Sequence, residues 1–150
     1  MGNLAMHVVF DLDGTLADCS HRLHHIKGDG PKDWDAFFRD CPKDQPLEKI
    51  IAIARAMFAA GHDVEIWSAR CDSVREATKA WLALMDVPHK LLLLRKVGDH
   101  RNDDVLKREW LEEARQEGFP VDLVFEDRAR MVAMYREAGV TCLQVADGSF

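Results

Sequence analysis

Cysteine is sparse and scattered: Cys19, Cys41, Cys71 and Cys142 form no C-x-x-C pair. That argues against a disulfide-framed secreted fold and against a cysteine zinc site, and it fits reduced thiols in the cytoplasm. No apolar run approaches the length of a bilayer span, and no signal peptide stands before the first apolar stretch, so no membrane association is expected. Positive charge is in deficit, with 20 Lys and Arg against 26 Asp and Glu and a formal net charge of −6. A broad basic surface that coats nucleic acid is thereby excluded, whereas a grip on one phosphate or one strand end is not. Internal repeats, low-complexity tracts and linkers are missing as well. With 150 residues, 47% of them hydrophobic, a single domain over 1–150 is expected.

What is present is organised around residues 7–16, HVVFDLDGTL. Val8, Val9 and Phe10 read as a buried strand that stops at Asp11-Leu12-Asp13-Gly14-Thr15. Carboxylates one residue apart point the same way along an extended chain, and Gly14 permits the tight turn that follows. At the end of a buried strand such carboxylates cost solvation unless a cation lies between them. A hard divalent ion such as Mg²⁺ takes oxygen ligands and keeps positions open for phosphate and water. A bare D-x-D is equally well explained as a turn former; the hydrophobic strand running into DLDGT is more specific.

Residues 18–46 show no clean period and read as a small lid-like insert over the mouth of the site. A short helix over 32–40 follows from the spacing of Trp34, Phe37 and Phe38. His21, His24 and His25 lack metal-type spacing, so they belong to a lid or a solvated loop rather than a metal cluster. An amphipathic helix over 47–60 presents Leu47, Ile50, Ile51, Ala54, Met57 and Phe58, and Gly61 ends it. A strand at 64–67 runs into Ser68-Ala69-Arg70. Ser73 is placed to cap a helix to about Met85 that is buried through Val74, Ala77, Trp81 and Leu84. Further strands are expected at 91–94, 121–125 and 141–145. Between them lie a helix through Val105, Leu106, Trp110 and Leu111 and another through Met131, Val132 and Tyr135.

Strands alternating with helices predict an α/β, Rossmann-like parallel five-stranded sheet with helices on both faces and a small insert after the first strand. In such sheets ligands collect beyond the carboxyl ends of the strands, where Asp11, Asp13, Ser68, Arg70 and Asp127 all fall. Ser68 offers a hydroxyl to a phosphate oxygen. Lys107 is one choice for a cation touching nucleophile and phosphate, with Lys96 and Arg95 as competitors nearer the third strand. Asp127 is the better inner-sphere metal ligand beside Asp11 and the backbone carbonyl of Asp13, and Glu126 binds directly or through water. The rival account of Glu126-Asp127 is acids complementing a helix N-terminus. For Asp103-Asp104 the capping account is the stronger one.

The string FDLDGTLA resembles the first motif of haloacid dehalogenase-like phosphatases. That resemblance implies Asp11 as nucleophile, Asp13 as general acid/base and Mg²⁺ as cofactor. A closer resemblance, over most of the chain, is to the 3′-phosphatase domain of bacteriophage polynucleotide kinase-phosphatases. WSAR, GDHRNDDVLKRE, FEDRARMVAMYREAGV and CLQVADGSF carry it together with the first motif. It implies that Arg22 and Arg70 hold phosphate and sugar, and it favours Lys107 over Lys96 as the active-site lysine. Glu126 stands where that family carries a second Asp. No G-x-x-x-x-G-K-[ST] loop occurs, which implies a stand-alone phosphatase or one encoded apart from a kinase. The expectation is therefore a Mg²⁺-dependent phosphatase of 3′-phosphorylated nucleic acid ends or nucleotides. The alternatives are a 5′-nucleotidase or other small-molecule phosphatase and, with a nucleophile and an acid/base both in place, less readily a non-catalytic kinase partner.

Overall fold

The computed structural model describes residues 4–148. Ser149 and Phe150, which close the QVADGSF segment, lie outside the described residues, as do residues 1–3. Five strands form one parallel sheet: β1 (His7–Phe10), β4 (Asp63–Cys71), β5 (Leu91–Arg95), β6 (Leu123–Arg128) and β7 (Thr141–Gly148), in the order β5-β4-β1-β6-β7. Phe10 is in register with Ile66 on one side and Phe125 on the other, so β1 is the central strand. Strand order reverses between β1 and β6, which puts the switch point, and the crevice it opens, at the end of β1.

The alternation of side chains along each strand assigns the two layers. Val8 and Phe10 face α2 (Glu48–Ala59) and α3 (Arg75–Leu84), in a core that includes Ile51, Ala54, Trp81, Leu82, Val64 and Ile66. Val9 faces the other way, toward Leu106, Trp110 and Leu111 of α4 (Asp103–Gln116) and Met131, Val132 and Tyr135 of α5 (Ala129–Glu137). Phe10 and Phe125 stack at 4.4 Å across adjacent strands. Among the described residues no helix is long and apolar enough to cross a membrane.

The insert is closed at its neck by a two-stranded antiparallel ribbon, β2 (Ala17–Asp18) on β3 (Gln45–Pro46). Between these strands lie a 3₁₀ turn (Ser20–His25), the short helix α1 (Trp34–Arg39) and a second 3₁₀ turn (Cys41–Lys43). Asp33 starts α1 by accepting the Ala36 N–H at 2.9 Å.

Several boundaries depart from the sequence reading, each for a physical reason. β4, β6 and β7 run three to four residues past their expected ends: in β4 and β6 the polar residues there are buried and paired rather than solvated, and β7 follows β6 through the backbone pairing of Gly148 with Arg128. Ser73 caps nothing: it lies in a 3₁₀ turn (Asp72–Val74), and α3 starts at Arg75 with no side-chain cap. The buried stripe of α3 is Thr78, Trp81 and Leu82, and Leu84 is 78% exposed. Thr78 takes a core position because its hydroxyl accepts from Arg70. On the same principle Lys107 is buried on α4, paired with Asp11 and Glu126; Val105 and, on α2, Phe58 are exposed.

Leu111 is wholly buried on the helix that also carries Lys107. Leu111→Ala is expected to cost roughly 2–5 kcal/mol, read as a lower urea midpoint with an unchanged slope.

Candidate active site

The turn after β1 decides where its carboxylates go. Asp11 N–H still bonds Phe125 O at 2.9 Å, extending the sheet by one residue. The Leu12 carbonyl then accepts from Thr15, Leu16 and Ala17 N–H, which curls the chain tightly under the strand end. Gly14 sits at φ +82°, and a Cβ there would lie 2.1 Å from Asp127 Oδ2. The turn therefore needs glycine for two reasons, backbone conformation and contact with the neighbouring carboxylate.

Asp11 and Asp13 end in different surroundings. Asp11 is buried with Glu126 and Asp127, and one carboxylate oxygen from each lies within 4.8 Å of the others. Lys107 Nζ donates to Asp11 Oδ1 at 2.7 Å and to Glu126 Oε2 at 3.0 Å. The Thr15 hydroxyl donates to Asp127 Oδ1 at 3.2 Å. Burial and the neighbouring Glu126 push Asp11 up to about 7 against the pull of Lys107. Burial and the charge of Asp11 do the same for Asp127, also to about 7, and burial raises Glu126. Lys107 is raised despite its burial, because Asp11 and Glu126 flank it. When all three carboxylates are ionised, the one ammonium leaves two negative charges unbalanced, and the remaining donors are neutral N–H and O–H groups. That is the charge, and the all-oxygen donor set, that one Mg²⁺ satisfies, so the residues present fit the ion.

Asp13 points into a compartment whose charges balance. Arg22 Nη2 donates to Asp13 Oδ1 at 2.5 Å and to Asp44 Oδ2 at 2.7 Å. Arg70 Nη2 donates to the same two oxygens at 2.6 and 2.9 Å. Arg22 also donates to the Phe37 carbonyl and stacks 4.2 Å from that ring, and Arg70 donates to Thr78 Oγ1. Burial would raise the Asp13 carboxyl, but Arg70 and Arg22 outweigh it and hold it down at about 2.

Ser68 is buried at the carboxyl end of β4, where its Oγ accepts from Arg70 N–H at 3.2 Å. Thus Asp11, Glu126, Asp127 and Lys107 form one group, and Asp13, Arg22, Arg70 and Ser68 adjoin it. Of the rival cations, Lys96 is exposed. Arg95 instead bonds the carbonyls of Ala69, Asp99 and Arg101 and the Asp103 carboxylate.

Asp103 and Asp104 do not cap α4 with a side-chain bond. They stand in its first turn, and the sequence reading of them as caps is replaced by ion pairing. Asp103 pairs with Arg95 and Arg128, and Asp104 with Arg130 at 3.1 Å. The histidines join no metal-competent group among the described residues. His21 lies 2.7 Å from Asp44 and His25 2.9 Å from Asp40. The sequence reading missed Asp44 and gave Thr15 no role. Asp44 lies in a Pro-flanked stretch that reads as an ordinary turn, and only the fold reveals its arginine partners.

Carboxylates gathered at the switch point of a five-stranded parallel sheet, beside a buried lysine, define a haloacid dehalogenase-type phosphatase. A haloacid dehalogenase-like hydrolase from Streptococcus pneumoniae shares the fold, with a TM-score of 0.63 at 14% identity over 93% of this chain and 84% of that one. So does the class C acid phosphatase from Bacillus anthracis, with a TM-score of 0.67 at 18% identity over 99% of this chain and 69% of that one.

More narrowly, the chain belongs to the polynucleotide kinase PNKP phosphatase domain family, whose profile matches residues 5–150. A chain in the structure of a Pnkp1/Rnl/Hen1 complex is 29% identical, with a TM-score of 0.82 over 98% of this chain and 47% of that one. The present chain spans about half the length of that relative.

Two outcomes test the geometry. Gly14→Ala is expected to displace the Asp127 carboxylate and weaken Mg²⁺ binding at least about tenfold, measured by calorimetric titration. The second concerns the metal-free protein. Asp11 and Asp127 hold protons in the folded state that the unfolded chain releases near 3.8, so this cluster costs stability as pH rises from there toward about 7. The contribution of Asp13 has the opposite sign and is lost only as pH falls from 3.8 toward about 2. With EDTA present, the acid cluster is expected to lower Tm as pH rises from about 4 to about 7, and added Mg²⁺ to raise it most at the upper end.

Proposed function

We propose that this domain is a Mg²⁺-dependent phosphomonoester hydrolase that removes 3′-phosphates from nucleic acid ends or nucleotides through an aspartyl-phosphate on Asp11. The observation that carries the reading is the buried triad of Asp11, Glu126 and Asp127 against a single lysine. Family membership and likeness to a chain of the Pnkp1/Rnl/Hen1 RNA repair complex, 29% identical over 98% of this chain, support the 3′-end of a polynucleotide as substrate. They also support a separately encoded kinase or repair enzyme as partner. Four unpaired cysteines suit the reducing cytoplasm, where we place the protein.

Asp11, Asp127 and Glu126, with the Asp13 carbonyl, would hold the ion, which when bound offsets the repulsion between the phosphate and the Asp11 carboxylate. Asp11 attacks phosphorus, and the bond to the sugar oxygen breaks. Asp13 gives its proton to that leaving alkoxide, then as a carboxylate takes one from the water that attacks phosphorus. The Asp11–phosphate bond breaks in turn, restoring both groups. Lys107 and the Ser68 hydroxyl neutralise and orient phosphoryl oxygens.

In the state described, Asp13 is ionised because both guanidiniums are spent on it. A phosphate dianion competes for the same N–H donors. As Arg22 and Arg70 turn toward phosphate and sugar, Asp13 is released to bind the proton it later donates.

Asp11→Asn is expected to fold normally and to lose phosphate release by at least about 10³-fold, since the covalent step disappears. Full turnover by that variant excludes the covalent route, and full turnover in EDTA excludes Mg²⁺. The substrate class is tested by comparing a 3′-phosphorylated oligonucleotide, a 3′-mononucleotide, a 5′-mononucleotide and a sugar phosphate. Preference for the last two overturns the 3′-end assignment in favour of a small-molecule phosphatase.

A further inference from the structure

Residues 144–148 take no part in the chemistry above, yet they lie against Asp127. β6 and β7 pair Glu126 with Gln144 and then Arg128 with Gly148, so a single residue, Asp127, faces three, Val145 to Asp147. This is a bulge in the edge strand placed opposite a metal-site acid, and bulges re-aim the side chains beside them. Where the ladder is interrupted, the Gln144 side-chain amide donates to the Asp127 carbonyl at 3.0 Å.

Gly148 closes the bulge. A Cβ there would lie 2.6 Å from the Asp127 carbonyl oxygen, 2.7 Å from its carbon and 2.9 Å from Arg128 Cα. All three are backbone atoms, so the contact cannot be relieved by turning a side chain. On its other side Asp127 presses its carboxylate against Gly14 and accepts from Thr15. The residue is thus held between two glycines, one against its carboxylate and one against its peptide.

We propose that Gln144 and Gly148 are positioning residues that aim the Asp127 carboxylate and thereby set the affinity of the site for its divalent ion. The proposal rests on the Mg²⁺ reading above. A simple need to satisfy a backbone carbonyl would also place a donor at 144. That need predicts an effect on stability, whereas aiming the ligand predicts an effect on the ion. Gln144 is exposed, so replacing it leaves the core untouched and separates the two.

The test is calorimetric titration of Mg²⁺ into the whole 150-residue chain without substrate, paired with melting in EDTA. Gln144→Met, which keeps the length and loses the donor, is expected to weaken Mg²⁺ about tenfold. Gly148→Ala, which must shift the peptide, is expected to weaken it by up to about 100-fold. The EDTA melting point of Gln144→Met should stay within about 2 °C of the parent. Parental Mg²⁺ affinity in Gln144→Met, with or without a drop in melting point, overturns the proposal. A parent protein that takes up no Mg²⁺ overturns the metal reading itself, and the flat parental titration distinguishes that failure from the first.

Discussion

The Lys107 ammonium, buried between Asp11 and Glu126, is the contact on which the arrangement of this protein turns. Asp11 and Lys107 are 96 residues apart in the chain. They meet because α4 packs against β4, the neighbour of β1, with Trp110 edge-on to Trp67, and against α5. A lone charge in such a place is costly, and an ion pair there is tolerated only with good geometry and full hydrogen bonding. The hydrophobic layers thus supply the rigidity that keeps three acids and a lysine in one small volume.

Two electrostatic compartments stand side by side and differ in their sums. Arg22 and Arg70 match Asp13 and Asp44 one for one, which makes that half self-sufficient before any ligand arrives. The Asp11 half is short of positive charge, with three carboxylates against one lysine. Asp13, two residues from Asp11, belongs to the balanced half only because the turn at Gly14 follows it and the insert delivers Arg22 and Asp44 from the far side. The insert is therefore a wall of the site, with Arg22 and Asp44 as buried as any core residue.

Much of this was legible in the chain, for reasons that also explain what was not. The apolar runs of β1 and β5, the amphipathic stripes of α2 and α5 and the glycines after α2, α4 and α5 are local signals, and they found the sheet and its layers. Asp11, Asp13 and Asp127 were legible because each follows an apolar strand, where a carboxylate has no cheap structural purpose. Polar residues continuing a strand were misread as its end: Ser68 and Arg70 remain in β4 because partners from α3 and the insert satisfy them. Thr78 and Lys107 broke the apolar pattern of their helices for the same reason. Asp44 gave no local sign, since its role consists of contacts 22 and 26 residues away. Asp103 carried the right signal for a cap, but Arg95 and Arg128 claimed it first.

The two-residue ribbon of β2 on β3 anchors both ends of the insert at one point beside the turn that carries Asp13. Residues 19–44 hang from that point as a closed loop, and loops joined at a fixed neck tolerate exchange of length and composition at small entropic cost. Within the loop Arg22 near one root and Asp44 at the other clamp Asp13, and Phe37 backs Arg22 with its carbonyl and its ring, whereas residues 28–32 are exposed and form the part of the loop open to such exchange.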